Sequence, residues 1–222
     1  LSCMWTAWAQ DNGSVGVYGA YGLNTHRADF RSFPGVPSCC PSYQSGSGSG
    51  LSLAALGRLP LASNLRAEVR LGYAVLDGTL TRQESTTVSG NVPGLFEHTV
   101  DATLRAFTLE PMLAYNLVGD FHVVAGGRLG LLTTSTFDQR EDLVQPETGT
   151  FPNGSRTQNE VVDAEIPNAS SFQGAILVGL QWDLPINTSK TVRLVPEVTY
   201  VYGLTSIVKD LSWHVDQLRF GA

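Results

Sequence analysis

The sequence predicts an all-β protein, an eight-stranded antiparallel up-and-down transmembrane β-barrel with long loops at one end and short turns at the other. From residue 13 onward, nearly every segment between turn signals alternates an apolar residue with a small, polar or charged one. This alternation is typical of a strand with two different faces. No run of about 18 apolar residues is present that could form a spanning helix, so only strands could cross a membrane.

Residues 65–75 show the alternation most clearly. Leu65, Ala67, Val69, Leu71, Tyr73 and Val75 fall on one face, and Arg66, Glu68, Arg70, Gly72 and Ala74 fall on the other. The first face suits lipid and the second suits a charged lumen. Residues 172–184 and 192–204 repeat the pattern.

The predicted strands, in order, are residues 14–24, 50–60, 64–79, 99–116, 121–134, 172–184, 191–204 and 212–221. Eight is the strand number of the smallest membrane barrels. The connections alternate between long (25–49, 80–98, 135–171) and short (61–63, 117–120, 185–190), with a moderate one at 205–211. Such barrels have short turns at one end and long loops at the other.

Two prolines and one charged segment depart from this pattern. Pro111 and Pro196 fall inside predicted strands, where a proline cannot donate to the ladder, so we expect a bulge at each. Asp101 and Arg105 fall on the lipid-facing side of the fourth strand. That strand is therefore expected to rise beyond the lipid.

Aromatic residues give the predicted barrel a height. Phe172 and Trp182 lie ten residues apart on one face, which spans about 25 Å at about 3.3 Å per residue and a tilt of about 40°. This matches the apolar band between two aromatic girdles. We predict one girdle from Tyr115, Phe121, Trp182 and Phe220, and the other from Tyr21, Phe172, Tyr202 and Phe107.

The first nine residues resemble the tail of a secretory signal peptide, because an apolar stretch ends in Ala7-Trp8-Ala9. We therefore expect the barrel domain to occupy residues 10–222. The chain has 222 residues, 42% of them hydrophobic, which is enough for one all-β domain. Its net charge of −6 and lack of a basic stripe argue against nucleic acid as a partner.

The inward positions carry a set of opposite charges. They are Arg58, Arg66, Arg70, Arg128, Arg193 and Arg219 against Glu68, Glu110, Asp183 and Glu197. Side chains fill the interior of so narrow a barrel, and an unpaired buried charge is costly. We expect an ion-pair network that plugs the lumen, with a gated or weakly conducting channel as the alternative.

Several segments resemble the N-terminal barrel of OmpA-type outer-membrane proteins. They are the opening residues 16–23, the pairs Glu110-Pro111 and Pro196-Glu197, and the closing Trp213-x-Val215-x-x-Leu218-Arg219-Phe220-Gly221. The resemblance implies a monomeric barrel in the bacterial outer membrane that contacts lipid and lipopolysaccharide, with long loops outside the cell and both termini in the periplasm. It also implies an anchoring role, and a peptidoglycan-binding domain is expected to follow residue 222.

Other candidate sites are weaker. Cys39 and Cys40 are adjacent, so a disulfide between them would be strained; a loop brace, unpaired thiols or a redox-sensitive loop stay open. The acidic loop 135–171 matches no EF-hand spacing, and no metal or cofactor is expected.

Ser212, His214 and Asp216 share one strand face but lie about 7 Å apart, out of direct hydrogen-bond reach. We therefore expect no enzyme activity. A soluble ligand-binding barrel of the lipocalin type is a second alternative, although the early Gly-x-Trp of that family is absent.

Overall fold

The computed structural model describes residues 13–36, 42–88 and 92–222. Its strands are β1 (Ser14–Phe30), β2 (Tyr43–Ala62), β3 (Leu65–Val75), β4 (Gly78–Val88), β5 (Val92–Val118), β6 (Phe121–Gln145), β7 (Thr157–Glu165), β8 (Phe172–Trp182), β9 (Leu184–Pro185), β10 (Arg193–Leu194), β11 (Glu197–Gly203) and β12 (Ser212–Gly221). Within these ranges no helix has the length and apolar character needed to cross a bilayer.

Antiparallel pairing closes the sheet into a ring of eight wall strands. β3 and β4 form one wall strand, because β5 pairs with both in a single register, from Val75 opposite Arg105 to Gly78 opposite Ala102. β7 and β8 both pair with β6 and form another. β1 closes the ring by pairing with β2 on one side and β12 on the other.

The register fixes how far the strands lean. Moving from partner to partner around the ring, the path runs through Asn24, Gln217, Val201, Leu177, Gly126, Met112, Glu68, Arg58 and Ser14. It leaves β1 at Asn24 and returns at Ser14, so the shear of the barrel is ten residues. Eight strands with this stagger tilt by roughly 40° and enclose an interior that side chains can fill.

The two ends of the barrel differ. At one end, here the turn end, residues 63–64 and 119–120 make tight turns, and Gly119 adopts a φ of 56° that favours glycine. The small β9–β10 hairpin lies between β8 and β11 at this end. At the other, the loop end, the chain passes between β1 and β2, β4 and β5, β6 and β7, and β11 and β12.

Through the middle of the wall, apolar side chains point outward and polar side chains point inward. On β5, Leu109 and Leu113 are exposed, whereas Thr108 and Glu110 are buried in the lumen. On β1, Val15 is 92% exposed and Val17 is 88% exposed. A continuous outer belt of this kind is typical of a wall that faces hydrocarbon.

Nearer the loop end this arrangement inverts. On β5, Asp101 and Arg105 lie on the outer face, while Ala102 and Leu104 are buried inside. The interior here is an apolar core that includes Phe30, Phe33, Tyr43, Leu80, Val100, Leu104, Phe137, Ile207, Val208 and Trp213. As expected from Asp101 and Arg105, this part of β5 belongs to a water-exposed sheet above the apolar belt.

The predicted loop bounds are wrong. Much of the sequence predicted as the long loops 25–49, 80–98 and 135–171 is strand. In the first of these loops, β1 extends to Phe30 and β2 begins at Tyr43. In the second, β4 and β5 cover all but three residues between 78 and 118, and in the third, β6 extends to Gln145. Above the apolar belt, the outward positions of these strands are polar instead of apolar. Their amino-acid composition therefore resembles that of loops.

The predicted bulges at the prolines are also wrong. The β5–β6 register is the same on both sides of Pro111, and Pro196 lies between β10 and β11, where it interrupts no ladder. The predicted signal-peptide tail at residues 1–9 and the pair Cys39 and Cys40 lie outside the described residues.

Candidate functional site: the filled lumen

The lumen near the turn end is organised around Glu68 on β3. Strand alternation places Arg66, Glu68 and Arg70 on the inner face, and the β2–β3 register puts Arg58 directly opposite Glu68. Arg66 Nε donates to Glu68 Oε1 at 2.8 Å, and Arg58 Nε lies 3.1 Å from the same oxygen. Glu68 is fully buried, so one carboxylate serves two guanidinium groups.

Asp183 continues this cluster toward the turn end. Arg66 Nη1 donates to Asp183 Oδ2 at 2.7 Å, and Arg193 Nη1 lies 3.0 Å from Asp183 Oδ1. Arg193 is the most exposed member, with 43% of its side chain accessible, and it forms the rim of the lumen.

The middle of the lumen is held by Arg70 and Glu197. Arg70 donates both terminal nitrogens to the two oxygens of Glu197, in the bidentate geometry that makes such pairs strong. Its guanidinium also lies over the ring of Tyr18, 3.9 Å from the centroid. Gln181 donates to Glu68 and to Glu197 at 3.0 Å each, which joins this pair to the Glu68 cluster.

Glu110 on β5 forms the third part of the network. Arg219 donates to both of its oxygens at 2.9 and 3.2 Å, and Arg128 Nε donates to Oε1 at 2.7 Å. Arg128 also donates to Gln217, which donates in turn to Asn24 on β1. Arg70 lies opposite Glu110 in the register and 4.0 Å from it, so the three parts are continuous.

All ten charged residues predicted to face the lumen are brought together by the structure. Sequence reasoning did not assign Gln181, Gln217, Asn24 and Thr199 to the network, although Thr199 donates to Glu197 and the others link charged groups. These four residues occupy inward positions, and strand alternation is the sequence feature from which their place in the lumen could have been predicted.

The geometry leaves no open path through the described part of the barrel. The ion pairs close the lumen above the turn end, with Arg70, Arg219, Glu68 and Glu110 at most 2% exposed. A small apolar cluster of Met112, Leu177 and Val201 lies beside these ion pairs, where Met112 is the cross-strand partner of Glu68. Toward the loop end, the core around Trp213 occupies the interior. The site can brace the wall, but it contains no continuous polar channel.

The sequence matches the family model described as outer membrane protein beta-barrel domain over residues 8–209. The chain belongs to this family. The predicted fold class is thereby confirmed, and the barrel is one of the bacterial outer membrane.

Among solved structures, the chain is similar to Ail, the attachment invasion locus protein of Yersinia pestis, in complex with the heparin analogue sucrose octasulfate. The identity is 14%, the comparison covers 95% of this chain and 99% of that chain, and the TM-score is 0.34. A comparison with curated protein sequences finds no match.

The aromatic residues predicted for the two girdles lie on the outer face of this outer-membrane barrel. Phe121 and Trp182 are cross-strand partners at the turn end, with stacked rings 5.1 Å apart. Phe107, toward the loop end, contacts Tyr73 edge-on at 5.4 Å. The remaining residues predicted for the girdles are also exposed: Tyr21, Tyr115, Phe172, Tyr202 and Phe220.

Phe220 does not lie where it was predicted. It pairs directly with Tyr21, so these two side chains cannot belong to girdles at opposite sides of the belt. The reason is the position of β12, whose last pairing is with Gly19 and Ala20, partway along β1. The lower part of β1, residues 14–18, pairs with β2 alone.

Asp216, the acid of the set Ser212, His214 and Asp216, is engaged in other contacts. Asp216 faces outward above the belt, where it accepts from Arg27 at 2.7 Å, from Tyr200 at 3.2 Å and from the Gly203 amide at 2.9 Å. Ser212 is exposed at the loop end. Across the described ranges, no group of three His, Cys, Asp or Glu side chains is placed to hold a metal ion.

Two cavities open at the turn end. One, of about 420 Å³, is lined by Arg58, Arg66, His122, Asp183 and Arg193, together with the turn around Asp120. The other, of about 500 Å³, lies between the lower part of β1 and the segment 191–195. Arg58 lines both of them.

Proposed function

We propose that this domain is a structural anchor of OmpA type in the outer membrane, and that it neither conducts nor catalyses. The filled lumen supports this proposal. The ion-pair network and the apolar core next to it leave no polar path along which a solute could cross the described part of the lumen. We therefore assign the function to the wall and its outer surface. The apolar belt gives a stable seat in lipid.

We propose the orientation with the loop end outside the cell and both termini in the periplasm. Membrane barrels of this kind have short periplasmic turns, which fits residues 63–64 and 119–120. The sheet of β4 to β7 then rises above the outer leaflet, next to lipopolysaccharide. Its outer face, with Asp101, Arg105 and Arg140, is available for surface contacts.

The link to peptidoglycan requires a further domain on the periplasmic side, and we propose that one follows residue 222. This proposal rests on the resemblance to OmpA-type proteins, in which a periplasmic peptidoglycan-binding domain often follows the barrel. A monomeric barrel satisfies this arrangement, since the ring is closed by its own strands.

The alternatives fit the observations less well. A small pore would need a continuous polar path, and the core around Trp213 interrupts it. A lipocalin-like barrel keeps an internal cavity for its ligand and a polar exterior. Here, through the height of the apolar belt, the interior is charged and the exterior is apolar, and toward the loop end an apolar core fills the interior.

Conductance in planar bilayers tests the anchor against the pore. We expect the wild type to give no discrete current steps. The paired variant Arg70→Ala, Glu197→Ala is the matched control, because it opens the plug but leaves the core around Trp213 in place and is also expected to be silent. Regular steps from the wild type would contradict the proposal.

The link to the envelope is a separate test. The full-length protein should sediment with purified peptidoglycan sacculi after detergent extraction, while the segment 10–222 alone should stay in the supernatant. Sedimentation of the isolated barrel, or of neither protein, would contradict an anchor that acts through a following domain.

A further inference from the structure

The lumen contains more positive than negative side chains. Within the described chain its ion-pair network joins six arginines, Arg58, Arg66, Arg70, Arg128, Arg193 and Arg219, to four carboxylates, Glu68, Glu110, Asp183 and Glu197. A guanidinium stays charged at any physiological pH. A buried charge without compensation is expensive, so this excess calls for a counter-anion.

Among the arginines of this network, Arg58 is a largely buried one that lines a cavity at the turn end. Its side chain is 11% exposed, and its buried Nε has no hydrogen-bond partner among the residues that the structure describes. The neighbouring Glu68 is shared, because it also accepts from Arg66 at 2.8 Å and from Gln181 at 3.0 Å. Arg58 Nε therefore lies 3.1 Å from a carboxylate oxygen without forming a hydrogen bond to it.

A cavity of suitable size adjoins this group. The 420 Å³ space at the turn end is lined by residues that include Arg58, Arg66, Arg193 and His122. Two acids are also present. Asp183 is paired with Arg66 and Arg193, and Asp120 lies on the exposed turn, where its backbone carbonyl accepts from His122.

We propose that this cavity is a binding site for a phosphate-class oxyanion, with Arg58 and Arg193 as the principal donors. The forked guanidinium matches the geometry of phosphate oxygens and binds them with charge-assisted hydrogen bonds. Free phosphate or a phosphate monoester can enter from the solvent at the turn end. The headgroup phosphate of a phospholipid in the adjoining leaflet offers the same chemistry.

The first experiment measures binding of inorganic phosphate to the barrel in a glycoside detergent, which contains no phosphate. Titration is followed by ³¹P NMR at constant ionic strength, with chloride as the competing anion. Arg58→Gln should weaken phosphate binding at least about tenfold, since it removes a charge-assisted contact. The control Arg105→Gln, an exposed arginine on the outer face of β5, should leave it unchanged.

Arg58→Gln should fold, because Glu68 keeps both Arg66 and Gln181 as partners. Without phosphate, it should be at least as stable as the wild type, since the network then joins five arginines, instead of six, to four carboxylates. Arg193→Gln, at the half-exposed rim, provides a second variant. Wild-type binding that is no stronger than chloride binding, or equal losses in Arg58→Gln and Arg105→Gln, would overturn the proposal.

The second experiment separates the two sources of phosphate. Native mass spectrometry of barrels released from phospholipid nanodiscs should find a retained phospholipid on the wild type but not on Arg58→Gln if the headgroup is the ligand. If free phosphate is the ligand, the titration should give the same affinity in nanodiscs and in micelles. Both outcomes support an oxyanion site, and failure of both excludes it.

Discussion

At the residue scale, the barrel interior depends on carboxylates that each hold more than one arginine. Glu110 is 2% exposed and bound by Arg128 and Arg219, with Arg70 at 4.0 Å. Removing it would leave these guanidinium groups without their shared partner. Replacing a whole buried ion pair can be tolerated, whereas removing one member leaves an uncompensated charge.

Glu110→Ala should therefore reduce the free energy of unfolding by about 3 to 5 kcal/mol. The matched control is Asp101→Ala, because Asp101 pairs with Arg140 on the exposed outer face and should contribute less than about 1 kcal/mol. Urea unfolding in lipid bilayers measures both. Equal losses for the two variants would mean that the lumen is hydrated enough to screen its charges.

His26, above the apolar belt, gives a pH-dependent prediction. Burial lowers the pKa of His26 to about 4, and Trp213 Nε1 donates to its Nδ1 at 3.1 Å. Since the unfolded chain takes up this proton near pH 6.5 and the folded one only near pH 4, stability should fall as the pH decreases between these values. His26→Gln should lose less stability than the wild type between pH 7.5 and 4.5. An identical loss in both would contradict a neutral buried His26.

The inward charges could be predicted from the sequence because strand alternation alone assigns Arg66, Glu68 and Arg70 to one face. Their partners could not. Arg70 binds Glu197, which is 127 residues away, because the ring closes with a particular shear. Gln181 is uncharged, so its sequence position alone does not indicate a place in the network. Its role is recognised only when the positions of Glu68 and Glu197, to which it donates, are known.

At the element scale, β5 shows how one strand serves two environments. Its lower part presents Leu109 and Leu113 to lipid and Glu110 to the lumen, and its upper part presents Arg105 to water and Leu104 to a core. The inward parity is kept, and only the polarity of the two faces is exchanged. The alternation therefore predicts strand over residues 99–116, and the part of β5 at residues 92–98, which the sequence predicts as loop, is strand in the structure.

Leu104→Ala should reduce the free energy of unfolding by about 2 to 5 kcal/mol, because Leu104 is fully buried in the loop-end core and its truncation leaves a cavity. Leu113→Ala, the same substitution on the lipid-facing side of the same strand, should cost less. There, lipid chains can occupy the vacated space, so only the transfer contribution is lost. A larger loss of unfolding free energy in Leu113→Ala than in Leu104→Ala would contradict a stabilising core at the loop-end half of β5.

At the scale of the whole molecule, eight strands with a shear of ten make a tube narrow enough to be sealed by its own side chains. The apolar outer belt, the ion pairs in the lumen and the loop-end core all result from the alternation of inward and outward residues, first through lipid and then through water. The strand number and the two faces were predictable from local patterns. The shear and the height of the strands were not, because they depend on pairings between distant segments.

The orientation of this tube is the last prediction. In a background with Cys39→Ser and Cys40→Ser, Thr148→Cys near the end of β6 and Thr188→Cys in the β9–β10 hairpin are matched exposed positions at opposite ends of the barrel. An impermeant thiol reagent added to whole cells should label Thr148→Cys alone, because the loop end lies outside. Both should react after the cells are permeabilised, which controls for accessibility. Labelling of Thr188→Cys but not Thr148→Cys on intact cells would reverse the topology, and the oxyanion site would then open to the exterior.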